Sequence, residues 1–467
     1  MASFFSLYIG YSGLKAQMAA TEVAGQNIAN ANTPGYTRQH VSMEAVVPHI
    51  APGARFSPGQ GVRITGVERI KSDYYTEQLI NASGGYAYWE TRQSALEGIE
   101  VNFLEPSDSG LSSYLNEFWD SWQELSANPE SEAVRMGLLE RSVSLTRGVQ
   151  NSYRRLQDLQ YDLYSELETK VEQVNKIAEE IATINEQLVF LKAMGEKSNE
   201  LLDQLDRRIS ELSHLADIRV RTKDSGAVEV FISGRLLVQD NRTFAISISG
   251  DADGNPQIVN EHGSVYNLKS GSLSALLEAH NKTIPYYQRA LDVLVSGLVE
   301  EINAVHQAGA DLEGNGGIEF FQDLTEKHPP SLYFEVNPQF FATTEGYKLI
   351  AATAPGAGGE AVPGDGANAG KIHALRDQAI IDGGFTPEEF YRSVIGRLGV
   401  EGQESERMFR TYDAVISQLE LRQEAISGVS LDEEMLNMVR FQHAYNAAAK
   451  FMSTADQMLD LLIKELG

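Results

Sequence analysis

Phe4, Leu7, Tyr11, Leu14, Met18, Thr21, Gly25 and Ile28 follow one another at alternating steps of three and four residues, and six of the eight are apolar. That spacing places them on one stripe of an α-helix, and such a stripe needs a partner. Met438, Phe441, Tyr445, Ala448, Met452, Ala455, Leu459 and Leu462 repeat the pattern near the other end, and all eight are apolar. Taken singly, each stripe would be the inner face of a helix in a globular core. Termini fray unless something ties them down, so a seam at each end predicts two helices that pair with each other and with copies from other chains. The N-terminal seam is read as Phe4, Leu7, Tyr11, Leu14, Met18 and Ile28. Ala16, Ala19, Ala20, Ala24 and Ala29 flank it and leave room for a close neighbour.

Local chemistry bounds both helices. Pro34 disfavours the α region for Thr33, and Pro34–Gly35 suits the centre of a type II turn, with Gly35 at positive φ. Asn27, Asn30 and Asn32 stand near the helix end, where asparagine side chains satisfy backbone groups locally. At the other end, Ser430 is expected to cap a helix whose first turn carries Asp432, Glu433 and Glu434, favourable to the helix dipole.

Composition narrows the function. The 467 residues predict about two to four domains, with 38 basic residues against 65 acidic and no cysteine. Phosphate recognition needs clustered Lys and Arg, which are missing, so neither nucleic acid nor an anionic membrane is an expected partner. Without cysteine there are no disulfides, thiol nucleophiles or thiolate metal sites. The first 20 residues lack the basic n-region of a secretion signal, with Lys15 interrupting the apolar segment. The expectation is a protein that stays in the cytoplasm or leaves by a route that does not read such a signal.

Between the ends, the period changes twice. Tyr153, Leu156, Leu163, Leu167, Val174, Ile177, Ile181, Ile184, Leu188 and Leu191 fill ten of twelve heptad positions, Gln160 and Lys170 being the exceptions. Leu202, Leu205, Ile209 and Leu212 resume the seam, with Asn199 as the expected cap and Gly195 at the turn; one kinked helix is the alternative to a hairpin. Residues 68–100 and 111–147 also read as helices, and Phe118, Trp119 and Trp122 as core aromatics. From Ile218 the period is two, with hairpin signals at DSG, SGR and DADGN. Helix returns at SGSLSALLEAHN, SLYFEV reads as β-like, and APGAGGEAVPGDGANAG as loop. The predicted fold is mainly α with a β-rich insertion: N- and C-terminal helices pairing as a coiled coil, a long helical-bundle body and a small outer β subdomain. Residues 1–40 and 428–467 form the terminal polymerisation domain. The helical body takes 41–215 and 271–427, with a Gly-rich, β-containing segment at 310–372, and the β subdomain takes 216–270.

No catalytic, metal or cofactor residues emerge. Asp251, Asp253 and Asn255 open like a calcium loop, but Pro256 and His262 stand where glycine and glutamate are required. Gly356, Gly358 and Ala361 meet a dinucleotide-binding spacing, yet Pro363, Gly364, Gly366 and Gly370 forbid the helix that must follow. GDGANAGKI misses the phosphate-binding loop at Asp365 and Ile372. No two of the nine histidines are spaced three or four apart. The chain is expected not to be an enzyme.

GLKAQMAATEVAGQNIANANTPGYTRQ resembles the N-terminal signature of the bacterial flagellar axial proteins (rod, hook and hook-associated), and SGVSLDEEMLNMVRFQHAYNAAAKFMSTADQMLDLLI their C-terminal one. NTPGYTRQ and SGVSLDEEM are most similar to the hook–filament junction members. The motif residues are Asn27, Asn30, Asn32, Thr33, Pro34, Gly35 and Tyr36. The resemblance implies a structural, self-assembling subunit that forms a ring-like layer between hook and filament and is needed for filament assembly. It implies export by the flagellum's own secretion apparatus, with hook protein and the next junction protein as partners and an export chaperone on the C-terminal seam. It also implies a larger outer β domain than this central region has room for. Other readings are a rod or hook subunit, or a cytoplasmic coiled-coil scaffold or enzyme.

Overall fold

The computed structural model describes residues 2–46, 59–103, 105, 107, 110–354 and 364–466, without the side chains of 2–4, 462, 465 and 466. The chain divides into two compact units. The first joins Met1–Gly85, Val174–Ala245 and Tyr412–Gly467; the second joins Tyr86–Gln173 and Ile246–Thr411.

In the first unit, α1 (Ala2–Ala29) packs along α10 (Leu431–Leu466). Strands β1 (Gln39–Ala45) and β2 (Val62–Arg69) form an antiparallel hairpin beside α1. Gly61 lies where any side chain would run into Ser12, whose Oγ accepts the Val62 N–H at 3.2 Å. Next come the end of α4 (Glu132–Ala193) and α5 (Asn199–Leu215), joined through Gly195 at φ 78°. This is a hairpin of two helices. Ser198 caps α5, its side chain accepting from the Leu201 N–H. Asn199, the expected cap, is the first helical residue instead and turns its amide elsewhere.

A four-stranded antiparallel meander follows: β3 (Ile218–Thr222), β4 (Val228–Ile232), β5 (Arg235–Gln239) and β6 (Arg242–Thr243). Ser233 and Gly234 both take positive φ, 48° and 80°, as a two-residue hairpin loop with the right twist requires. Asn185 of α4, fully buried, fastens the sheet by donating to Val228 O at 2.8 Å and Asp240 O at 2.9 Å and accepting from Val228 N–H at 2.8 Å.

The second unit contains β7 (Ile246–Gly250) and β8 (Pro256–Asn260), paired around the Asp251–Asn255 turn. Both sheets lie in the stretch expected to be β, yet they belong to different units. Helices α3 (Leu111–Ala127), α6 (Ser272–Glu278), α7 (Ile284–Gln307) and α8 (Ala367–Ala374) fall wholly in this unit. The units divide within α2 (Asp73–Phe103), α4 and α9 (Pro387–Ser427). Phe118, Trp119 and Trp122 are core: Trp122 lies 5.0 Å from Phe320, and Phe320 4.9 Å from Phe321, between ring centroids.

Four local expectations change. The loop read over 354–370 gives way to helix at Ala367, where α8 begins right after Gly366 and carries Gly370 within it. The helix read over 111–147 breaks at Asn128–Ser131, because Pro129 removes a donor and disfavours helix at the residue before it; α4 then starts at Glu132. Residue 68 lies in β2, and α2 starts at Asp73. SLYFEV is not a strand: Pro330–Tyr333 forms a 3₁₀ turn, and Val336 makes an isolated bridge to Phe321.

Irregular backbone buried here needs side-chain partners. Asn303 donates to Phe321 O and accepts the N–H groups of Phe320 and Phe321, at 2.9–3.0 Å. Arg135, fully buried, donates to the carbonyls of Pro129, Tyr347 and Ile350. His306 has Nδ1 2.6 Å from Ile318 O, while Nε2 accepts the Ala351 N–H at 2.9 Å. That pairing requires neutral imidazole, and burial lowers its pKa to about 4.

Candidate functional site

The turn after α1 is the centre of a polar hub inside the first unit. Tyr36 N–H bonds Thr33 O at 3.1 Å across Pro34 and Gly35, with Gly35 at φ 76°. This is the turn its sequence demands. Asn30 acts locally: it donates to Gln26 O and accepts from the Thr33 hydroxyl. Asn32 is exposed, with no hydrogen bond to its side chain among the described residues.

Asn27 does more than satisfy its own helix. It is buried, and its Oδ1 accepts from Gln39 N–H at 3.0 Å and from the Tyr36 hydroxyl at 2.9 Å. Its Nδ2 donates to Gln39 O at 2.9 Å and to Glu434 Oε2 at 3.0 Å. One amide thereby joins the end of α1, the start of β1 and the first turn of α10, using all of its bonding capacity. The other Glu434 oxygen takes Arg38, with Nε at 2.8 Å and a terminal nitrogen at 2.7 Å, while Arg38 also reaches Glu433 at 3.0 Å. A carboxylate in that first turn also meets the positive end of the helix dipole.

A second ion cluster adjoins the first. Asp203 and Asp206, three apart on one face of α5, both hold Arg69 at 2.8 Å, and Asp206 takes Lys71 at 2.7 Å. Asp203 also accepts the Thr37 N–H at 3.2 Å, and Asn199 donates to Gln39 Oε1 at 2.9 Å. Burial and the nearby carboxylates of Asp203, Glu200 and Glu434 push the Tyr36 hydroxyl up to about 12, so it stays a donor. The acids and bases of both clusters pair with one another. The arrangement holds strands and helices together; it does not poise a group for proton transfer. Among the described residues there is no metal-ligating cluster and no helix long and apolar enough to cross a membrane.

The seams meet the structure differently. On α10, Ala455 is buried, and Met438, Phe441, Tyr445, Ala448, Met452 and Leu459 are half-buried along the α1 side. On α1, the small residues are the ones that turn inward. A Cβ on Gly10 would stand 3.2 Å from Met452, and one on Gly13 3.8 Å from Ala448; Ala16, Ala20 and Ala24 are buried in the same direction. Tyr11 and Met18 of the expected seam are exposed, and Leu7, Leu14 and Ile28 half-buried. The side chains of Phe4 and Leu462 lie outside the described residues, as do Gly356, Gly358 and Ala361. Two shallow grooves run between α1 and α10, one lined by Leu7, Tyr8, Tyr11 and Met452, the other by Met18, Thr21 and Tyr445.

Sequence reasoning missed Gln39, Arg69, Lys71, Asn199, Asp203 and Asp206 as hub residues, and credited Glu434 only with dipole stabilisation. The i, i+3 spacing of Asp203 and Asp206 was the one available signal, and it is a common one.

Residues 96–321 match the family model of the flagellar hook-associated protein FlgK helical domain. Residues 423–465 match the flagellar basal body rod FlgEFG protein C-terminal model, and residues 7–37 the flagella basal body rod protein model. The chain is 31% identical to flagellar hook-associated protein 1 of Bacillus subtilis, over 100% of this chain and 99% of that protein. It is 26% identical to the Escherichia coli protein of the same name, over 97% and 98%. The flagellar hook junction protein FlgK from Burkholderia pseudomallei has a similar fold, with a TM-score of 0.65 at 16% identity over 75% of this chain and 100% of that one.

Proposed function

The chain belongs to the flagellar hook-associated protein 1 family, and on that premise we propose how this structural protein of the flagellum is built into the hook–filament junction. It forms a ring-like layer on the hook, in contact with copies of itself, with hook protein below and with the next junction protein above. Residues 1–40 and 428–467 act as the polymerisation domain. The chain reaches the extracellular junction through the flagellum's own secretion apparatus, and an export chaperone covers the seam of α10 beforehand. No reaction is assigned to it.

One observation supports this reading above the others. The α1–α10 pair is joined through small residues and leaves Tyr8, Tyr11 and Met18 on one helix, and Met458, Leu461 and Ile463 on the other, exposed. Apolar area left in water costs roughly 25 cal/mol per Å², and a stripe of it calls for partners. Rod and hook subunits have related end segments, but the junction family's helical domain model also matches the middle.

Immunolabelling of isolated hook–filament structures tests the placement. Label confined to the junction is expected, and label along the rod or hook would overturn it. For the chaperone, deleting residues 430–467 should abolish binding; unchanged binding places the chaperone elsewhere.

A further inference from the structure

The sheet β3–β6 has one face packed inside its unit and the other turned to solvent. Ile218, Val228, Val230, Ile232 and Val238 are buried. The register sets the outward face: Arg219 opposes Phe231, Arg221 opposes Glu229, Phe231 opposes Leu236, and Gln239 opposes Arg242. Half-buried Phe231 and Leu236 are thus framed by three exposed arginines. The Arg221 guanidinium lies 5.8 Å from the Phe231 ring centre and also bonds Glu229. Glu229 is buried and further neutralised by Lys223 at 3.2 Å. The side chains of Arg219 and Arg242 make no ion pair or hydrogen bond among the described residues.

Charge here runs against the rest of the molecule. Residues 218–243 hold five basic and three acidic residues, whereas the remainder of the chain holds 33 and 62. Arginine around an aromatic centre is the composition that protein interfaces concentrate.

We propose that this sheet face docks on the acidic surface of a second copy of this chain. The proposal rests on the reading of the protein as a flagellar subunit standing among its own copies. Charge complementarity names the occupant. Copies of net charge −27 repel one another, and a basic face set against the next copy's acidic surface turns part of that repulsion into orienting attraction.

The absence of cysteine makes the test clean. Asn241→Cys, exposed and next to Arg242, gives the full-length chain a single attachment point for a photo-cross-linker and leaves the arginines intact. In assembled flagella the expected product joins this site to an acidic peptide of the same chain, and the dispersed monomer gives none. A cross-link to a different flagellar protein, or none in assembled protein, overturns the proposal and leaves the flagellar reading standing. Absence of the unmodified chain from flagella overturns that reading itself. As a second measurement, Arg219→Glu with Arg242→Glu should lower incorporation at least about tenfold with an unchanged melting transition, while the double lysine variant recovers most of it. Equal incorporation by the glutamate variant overturns the proposal.

Discussion

The aromatic core of the second unit and the end-helix pair of the first are both apolar residues at helical spacing, put to opposite uses. Phe118, Trp119 and Trp122 are at most 2% exposed; Phe118 meets Phe320 and Phe321, and Trp122 meets His306. Tyr11 and Tyr8 are each 56% exposed and Leu461 62%. The core is closed within one chain. The end helices are joined by the small residues of α1 set against the half-buried stripe of α10 and by the Asn27–Glu434–Arg38 hub, while Tyr8, Tyr11, Met18, Met458 and Leu461 remain exposed. Periodicity alone does not separate a finished interface from an open one.

Substitutions can break this contrast, and the largest effect belongs to the closed core. Trp122→Ala should destabilise the second unit by about 4 kcal/mol, read by denaturant unfolding; a loss below about 1 kcal/mol would show a core less closed than its burial suggests.

Glu434→Ala removes the buried carboxylate between Asn27 and Arg38, leaves Arg38 only the exposed Glu433, and should cost about 2 kcal/mol at the hub. Amide protection of α1 and α10 should fall while that of Phe118 and Trp122 holds. Equal loss at Phe118 and Trp122 would show that the effect of the hub is not local.

A pH change separates the regions without mutation. His306 has its pKa depressed by burial, so the unfolded chain binds the proton more readily. Its stabilising contribution is complete above about 6.5 and is lost as pH falls toward about 4. Between pH 7.5 and 5 the second unit should lose about 2 kcal/mol through this residue, and His306→Gln should flatten that slope. An unchanged slope would assign acid sensitivity to other groups.

Gly35→Val forces a β-branched residue to φ 76° beside Arg207, a strain of roughly 1–2 kcal/mol. The second unit should melt unchanged while junction assembly fails. Normal, firmly attached filaments in cells carrying the variant would mean the turn is an ordinary loop.

The smallest expected effect on the monomer is at Tyr11. Tyr11→Ala should shift its stability by no more than about 0.5 kcal/mol, yet weaken assembly. A large monomer effect would mean that the exposed stripe is already in use.

The type II turn with Gly35 at positive φ, the cap at Ser430, whose Oγ accepts the Glu433 N–H at 3.5 Å, the core role of Phe118 and Trp122 and the hairpin turns around Gly226 and Gly234 were all legible in the sequence. Each depends on residues within a few positions of one another, where spacing and dihedral preference decide. The hub was not legible. Asn27 meets Glu434 across 407 positions and Asp203 meets Arg69 across 134, and nothing local marks which of 65 acidic residues is buried. The face that α1 turns to its partner was also decided only in three dimensions. A large-residue stripe and a small-residue stripe share that helix, and close approach through Gly10, Gly13 and Ala16 selects the small one, because only residues without bulk let two helix backbones come that near.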